Sequence, residues 1–325
     1  MEGRRMGNDL VSVIIPAYNA QRWLRDAIDS ALQQTWPSIE VLVVDDGSKD
    51  DSVGIARSYG ESVRVLEAQE NGGPAVARNR GLQAARGEWI QFLDADDRLL
   101  PEKVERCIAA VEGPSDVPFC KTEIILEAGF RNYGWWRRSA TRWLRIRTPE
   151  FDENEPLLAA LTGWAHTNEL LHRKSILKAL GGFNTQMRWQ EDTELKVRLA
   201  LHGIRFRRVD EVLVHMREHT SAGRQRLHPD AMQKLVHNEV LILERIRSAG
   251  QLSPRVSSVM SHRLAWAGRQ AWRAGNVALG QEAFTLARSL HPRPNVTGYP
   301  AYNLMANWVG LERFERMVDR LIGVR

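Results

Sequence analysis

Cysteine is scarce. The 325-residue chain holds only Cys107 and Cys120. Two cysteines cannot build a disulfide framework, and no metal-ligand spacing surrounds them, so both are expected to be reduced core thiols of a cytoplasmic protein. Long apolar runs are missing too. No segment reaches eighteen consecutive apolar residues, which argues against a bilayer-spanning helix and so against a membrane-embedded synthase. The opening Met1-Glu2-Gly3-Arg4-Arg5-Met6 lacks the apolar stretch of a signal peptide. The length suits one α/β domain of ordinary size plus a smaller appendage.

Against these absences stands a regular beat of short apolar runs: Leu10 to Ile15, Ile39 to Val44, Val63 to Leu66 and Trp89 to Leu93. Each pair is separated by a segment of helical character, and strands alternating with helices imply a parallel sheet. The helix before the fourth run is well punctuated. Gly72-Gly73 turns the chain, Pro74 is pre-set for a first helical position, and Gly87 is expected as the stop.

Each strand runs into polar residues of a useful kind. Pro16-Ala17-Tyr18-Asn19 follows the first, Asp45-Asp46-Gly47-Ser48 the second and Asp94-Ala95-Asp96-Asp97 the fourth. Carboxylates at the carboxyl ends of parallel strands lie where an open α/β sheet keeps its ligands. Acids spaced i, i+2, such as Asp94 and Asp96, leave the sheet edge close enough to share one hard cation and the oxygens of a diphosphate. Tyr18 can stack on a base, an Asp can accept from a base imide or a ribose hydroxyl, and Arg78 adds a cation in the first turns of the helix opened by Pro74. A helix-capping role for Ser48 and Asp50 is also expected.

These stretches resemble the family 2 glycosyltransferases, inverting enzymes with the GT-A fold. The resemblance rests on Val11-Ser12-Val13-Ile14-Ile15-Pro16-Ala17-Tyr18-Asn19, Val43-Val44-Asp45-Asp46-Gly47-Ser48, Asn71-Gly72-Gly73-Pro74-Ala75-Val76-Ala77-Arg78-Asn79 and Phe92-Leu93-Asp94-Ala95-Asp96-Asp97. Gly181-Gly182-Phe183 followed by Glu191-Asp192 is similar to the family's acceptor-side motif, and Arg217-Glu218-His219-Thr220-Ser221 to its closing histidine segment. The likeness runs over residues 10–222. It implies an α/β fold with a mostly parallel sheet flanked by helices, from 10 to 222; the sequence itself adds a flexible stretch expected over 1–9 and a helical domain over 223–325.

The resemblance also implies roles. Pro16, Ala17, Tyr18 and Asn19 frame the donor, Tyr18 and either Asp46 or Asp45 contact the nucleobase, Asp94 and Ala95 meet the ribose, and Arg78 supports the phosphates. Asp96 holds a divalent ion, with His219, or in second place His215, as the late metal or diphosphate contact. Asp192, beside Glu191, is the catalytic base, and its place in a helical first turn would suit an acid in any case. Gly163, Trp164, His166, Trp189 and Gln190 are expected around the sugar and acceptor. Oxygen-rich ligands with at most one imidazole favour Mg²⁺ or Mn²⁺. UDP is the nucleotide implied, with GDP and dTDP left open; neither sugar nor acceptor is encoded. A single-addition enzyme is expected, because the Gln-x-x-Arg-Trp signature of processive members is missing. A non-catalytic nucleotide-sugar binder is the alternative, and an intact Glu191-Asp192 pair argues against it. A nucleotidyltransferase would usually carry a glycine-rich, lysine-bearing loop after strand one, which Pro16-Ala17-Tyr18-Asn19 is not.

The net charge of +5, with a pI of about 9.4, is unevenly placed. Six arginines and no acid lie between Arg131 and Arg147, interleaved with Tyr133, Trp135, Trp136 and Trp143. Arg138, Arg142 and Arg145 would share one helical face, as in an interfacial membrane-binding element. The expectation is a peripheral site on anionic lipid at the inner face of the membrane, meeting a glycan or lipid-linked acceptor. Nucleic acid is the poorer partner, because the carboxylate rim would repel phosphate unless a metal intervened. Beyond 222, amphipathic runs at Ala231–Ser248, Ser257–Ala274, Val277–Leu290 and Tyr302–Ile322 predict a helical domain, one that covers the catalytic domain or supports a homodimer.

Overall fold

The computed structural model describes residues 9–126, 154–162, 166–219 and 229–294, together with 303, 309, 310, 313, 314, 316 and 317. The Arg131 to Arg147 stretch, Gly163, Trp164, Thr220, Ser221 and most of the Tyr302 to Ile322 run lie outside the described residues. Described residues 9–126 and 166–219 fall in one compact unit, and 154–162 with those from 229 onward in a second.

In the first unit the strands β1 (Val11–Ala17), β2 (Ile39–Asp45), β3 (Val63–Glu67) and β4 (Trp89–Phe92) are parallel, and β7 (Leu171–Arg173) joins antiparallel. Their order is β3-β2-β1-β4-β7. The sequence of β1 is almost unbroken in apolar residues because both its faces are covered, as parallel strands require. One cover is α1 (Leu24–Leu32), which presents Leu24, Ala27, Ile28 and Ala31 at the i, i+3, i+4, i+7 spacing of a buried stripe. Fully burying a side chain such as Leu24 or Ile28 is worth about 1.5–3 kcal/mol.

The chain winds outward from β1 to β2 and β3, then returns to place β4 on the other side of β1. Such a reversal opens a crevice beyond the carboxyl ends of the two central strands. Ala17 pairs with Asp45 across the β1/β2 ladder, and the Leu93 amide donates to the Ile14 carbonyl at 3.0 Å, so the post-strand loops leave the sheet side by side. The helices α2 (Ser52–Arg57) and α3 (Pro74–Ala84) fill the crossovers, with Pro74 in the first turn of α3 as expected. Gly87 is not the stop. Helix α3 ends at Ala84, and Gly87 lies where an added Cβ would come within 2.6 Å of the Leu10 carbonyl, so its role is close backbone approach.

A second sheet, ordered β5-β8-β6, combines β5 (Arg98–Leu99), β6 (Asp116–Leu126) and β8 (Arg205–Glu218). Helices α4 (Lys103–Ala109), α6 (Lys174–Ala179) and α7 (Glu191–Leu201) belong to this unit. Cys107 and Cys120 are both buried and free.

The second unit holds α5 (Pro156–Thr162), α8 (Pro229–Ser248), α9 (Pro254–Arg273) and α10 (Val277–Leu290). Ser253 and Asn276 cap α9 and α10 by accepting from the Val256 and Leu279 amides. Small residues, among them Ala267, Gly268, Ala271 and Ala283, let α9 and α10 approach closely. Arg263 forks onto Glu239 with two bonds of 2.8 Å. No helix among the described residues is long and apolar enough to cross a membrane.

Candidate active site

Three loops are stitched together at the crevice. Asn19, in the left-handed region at φ 49°, donates its amide to Ser48 Oγ at 2.9 Å and accepts from the Lys49 amide at 2.8 Å. Asp46 uses both carboxylate oxygens on the loop before α3, accepting from Gly72 and Gly73 at 3.0 and 2.7 Å. Asp45 accepts from Gly47 and Ser48 on Oδ2, whereas its buried Oδ1 has no partner. Both carboxylates are buried, Asp45 at 3% and Asp46 at 4% exposure. Tyr18 is 49% exposed beside this loop cluster. Pro16 is half-buried; the Ala17 and Ala95 methyls pack in the apolar core, so only their backbone can face a ligand. The expected capping roles are not seen: the N-cap of α2 is Asp51, without a side-chain capping bond, while Asp50 accepts from the Ser52 and Gln21 amides and Ser48 serves Asn19.

Arg78 is the junction. It is buried, one turn into α3, and its two terminal nitrogens reach Glu191 Oε1 at 2.8 Å and Asp94 Oδ1 at 2.7 Å. Its guanidinium also lies 5.3 Å from the Phe183 ring centroid. Burial disfavours the cation, but the two carboxylates more than offset that and hold its pKa above the ordinary range. The sequence assigned Arg78 to phosphate; the structure gives it the further task of tying the post-β4 acid to the Glu191-Asp192 pair.

That pair splits by environment. Burial raises the Glu191 pKa, opposed by Arg78 and reinforced by Asp192. Burial pushes Asp192 the same way, but the Lys196 ammonium, the Thr193 amide and Arg78 win, leaving it below the usual carboxylate range. The Asp192 side chain is 30% exposed and that of Glu191 11%. Asp192 is therefore the ionised, reachable member, and Glu191 the member locked to Arg78. Both open α7, where acids suit the helix N-terminus. Just before them, Gln190 is left-handed at φ 60° and Trp189 is 38% exposed.

Asp96 meets His219, not His215. His219 Nε2 lies 2.9 Å from Asp96 Oδ2, and its ring stacks on Trp23 at 3.9 Å between centroids. His215, on β8, lies 3.4 Å from Glu123. Asp94 and Asp96 thus answer to different partners, Arg78 and His219. Among the described residues no group of three or more His, Cys, Asp or Glu side chains is placed to hold a metal ion. His166 is exposed at the start of a 3-10 turn, Thr167–Glu169.

Sequence reasoning missed Trp23, Asn168 and Lys196, and gave Asp97 no role of its own. Only the i, i+4 spacing of Asp192 and Lys196 carried a readable signal. A cavity of about 680 Å³ lies in the second unit, between α8 and α10, and none of the predicted site residues lines it.

With this geometry in hand, the family model described as Glycosyl transferase family 2 matches residues 12–176. The chain belongs to glycosyl transferase family 2. A glycosyltransferase of Rickettsia felis is 32% identical over 226 residues, a stretch that is 67% of this chain and 36% of that protein's length. The family's fold is matched in solved structures. TarS of S. aureus, crystallised with UDP-GlcNAc, superposes with a TM-score of 0.58 at 19% identity, over 87% of this chain and 90% of that one. The mannosyltransferase PcManGT from Pyrobaculum calidifontis, in complex with GDP-Man and Mn²⁺, gives 0.56 at 21% identity, over 94% and 80%. The mostly parallel sheet with flanking helices expected from the motifs is the GT-A architecture of this family.

Proposed function

We propose that this protein transfers a sugar, with inversion, from a nucleoside-diphosphate sugar to a hydroxyl of a glycan or lipid-linked glycan in cell-surface polysaccharide synthesis, one addition per encounter. The observation that carries the reading is the Arg78 junction, which joins the carboxylate after β4 to the Glu191-Asp192 pair, Arg78 and Glu191 lying 113 residues apart in sequence. UDP is the favoured nucleotide; TarS with UDP-GlcNAc supports it, and PcManGT with GDP-Man keeps GDP in view.

In this reading Tyr18 stacks on the base, either Asp46 or Asp45 accepts the base imide proton, and Asp46 shapes the Gly72-Gly73 turn. Asp94 takes a ribose hydroxyl, and Arg78 fixes Asp94 and adds positive charge beside the phosphates. Asp192 accepts the proton of the acceptor hydroxyl as the oxygen forms its bond to the anomeric carbon and the diphosphate departs from the opposite face. The leaving group needs no proton, so one carboxylate suffices, unlike the pair used in glycoside hydrolysis. Trp189, Gln190 and His166 flank the sugar and acceptor, with Gly163 and Trp164.

Asp96 and His219 would hold Mn²⁺ or Mg²⁺. The donor set fits: hard ions that act with phosphates take one or two protein ligands and complete their shell from substrate and water, so no three-residue cage is needed. When bound, the ion would neutralise charge on the departing diphosphate. The Mn²⁺ of PcManGT supports this reading.

Asp192→Asn should keep donor affinity while turnover falls about 10²–10⁴-fold. Undiminished turnover would remove Asp192 as the base. Peripheral docking through Arg131 to Arg147 belongs to the same proposal. Co-sedimentation with anionic vesicles should be lost when Arg138, Arg142 and Arg145 become Glu, and unchanged binding would end that part.

A further inference from the structure

The carboxylate loop after β4 and the histidine strand are joined by more than the Asp96–His219 contact. Asn168, buried in the 3-10 turn, accepts from the Asp94 amide on its side-chain oxygen at 2.9 Å. Its side-chain nitrogen donates to Asp97 Oδ2. The other Asp97 oxygen accepts from the Arg217 amide at 2.8 Å, two residues before His219.

These bonds extend the β5/β8 ladder, in which Leu99 faces Val214 and Arg98 faces His215. Beyond the last pair, Asp97 holds Arg217 and Asp96 reaches His219. Asn168 is itself fixed from below, since Gln91 donates to its carbonyl at 2.8 Å and the fully buried Lys103 donates to Gln91. A lysine without solvent contact and a buried glutamine therefore have a common purpose: they anchor the residue that grips both ends of the post-β4 loop.

We infer that Asn168 and Asp97 are positioning residues of the cation site, which set the separation of Asp96 and His219 without touching the ion. This rests on the metal reading of Asp96 and His219 given above. A two-ligand site depends on such support more than a closed cage does, because the other ligands come from substrate and water and impose no spacing on the protein. Partners that orient metal ligands typically cost about 10–100-fold in metal affinity when removed.

The chemistry supplies its own control. Asparagine and aspartate have the same shape, so Asn168→Asp combined with Asp97→Asn keeps every heavy-atom position and reverses the direction of one bond. In the pair, residue 168 still accepts from Asp94 and residue 97 still accepts from Arg217 while donating to 168. In either single variant at least one of the three bonds loses its complement.

The test is Mn²⁺ binding in the presence of UDP, followed by electron paramagnetic resonance, with UDP affinity without metal and thermal unfolding measured alongside. Each single variant is expected to weaken Mn²⁺ binding by about 10–100-fold, with UDP affinity little changed, and the swapped pair to recover most of the loss. If wild type binds Mn²⁺ and the single variants match it, the inference fails while the metal reading stands. A folded swapped pair no better than the worse single variant would also overturn it, and that holds where a single variant does not fold. No Mn²⁺ binding by wild type with UDP would instead overturn the metal reading itself.

Discussion

Lys196 brings its ammonium to within 3.3 Å of Asp192 Oδ2, one helical turn further along α7, with its own side chain only 3% exposed. A buried cation so close favours the ionised carboxylate, which is the form a proton acceptor needs. Lys196→Met removes that support and leaves only the Thr193 amide and Arg78 against burial, so the Asp192 pKa rises. Activity should then be lost earlier on acidification: the acid limb of the kcat/KM profile moves to higher pH, while Lys196→Arg keeps it near the wild-type position. A profile unmoved by Lys196→Met would show that the lysine does not govern the base.

Arg78 answers two acids at once, and removing it strands both. Breaking a buried ion pair from one side typically costs about 3–5 kcal/mol. Arg78→Met should lower the urea midpoint accordingly and abolish turnover. Arg78→Lys keeps the charge but not the fork, so it should recover stability better than kcat/KM. Equal recovery of both would mean the two-pronged geometry has no catalytic part.

Gly181 and Gly182 separate backbone strain from lost contacts. Both are left-handed, at φ 78° and 73°. A Cβ on Gly181 meets nothing within 4 Å, whereas one on Gly182 would fall 2.3 Å from Asn79 Oδ1. Asn79 exchanges two 2.8 Å bonds with the Phe183 backbone and so joins α3 to this turn. Gly181→Ala should cost about 1–2 kcal/mol, and Gly182→Ala more, measured by chemical unfolding. Equal costs would mean the Asn79 bonds contribute nothing.

Glu40, at the opposite end of the sheet, contributes to acid stability. Burial would raise its pKa, but bonds from Ser12, the Arg86 amide and the Arg64 and Arg86 side chains hold it at about 2, against an ordinary value of 4.5. A depressed folded-state pKa gives stability that is full above about 4.5 and fades as pH falls towards 2. Glu40→Gln should lower stability at neutral pH and flatten the decline across that window. An unchanged slope in urea titrations at stepped pH would contradict this.

The central sheet was legible because buried parallel strands write themselves as β-branched runs. The first four strands differ from their sequence expectation by one or two residues at an end. The second sheet was not. Strand β6 contains Pro118, and β8 carries Arg205, Arg207 and Arg208; their parallel pairing joins segments some 90 residues apart, with register shifts near Lys121, so no local period announces it. At the site, motif spacing was enough to nominate Asp96, His219 and Asp192. It could not tell that Asp46 and not Asp45 holds the Gly72-Gly73 amides, because adjacent acids read alike in sequence. Nor could it find Asn168 or Trp23, whose importance is spatial and whose residue types are common anywhere.

Calorimetric titration of nucleotide sugars with Mn²⁺ or Mg²⁺ present, into wild type and Asp96→Ala, tests the account most directly. Wild type should bind at least one UDP-sugar in a metal-dependent way, and Asp96→Ala should lose the metal-dependent part while keeping the protein folded. No heat from any nucleotide sugar with either ion, or identical metal dependence in the two proteins, would contradict the account.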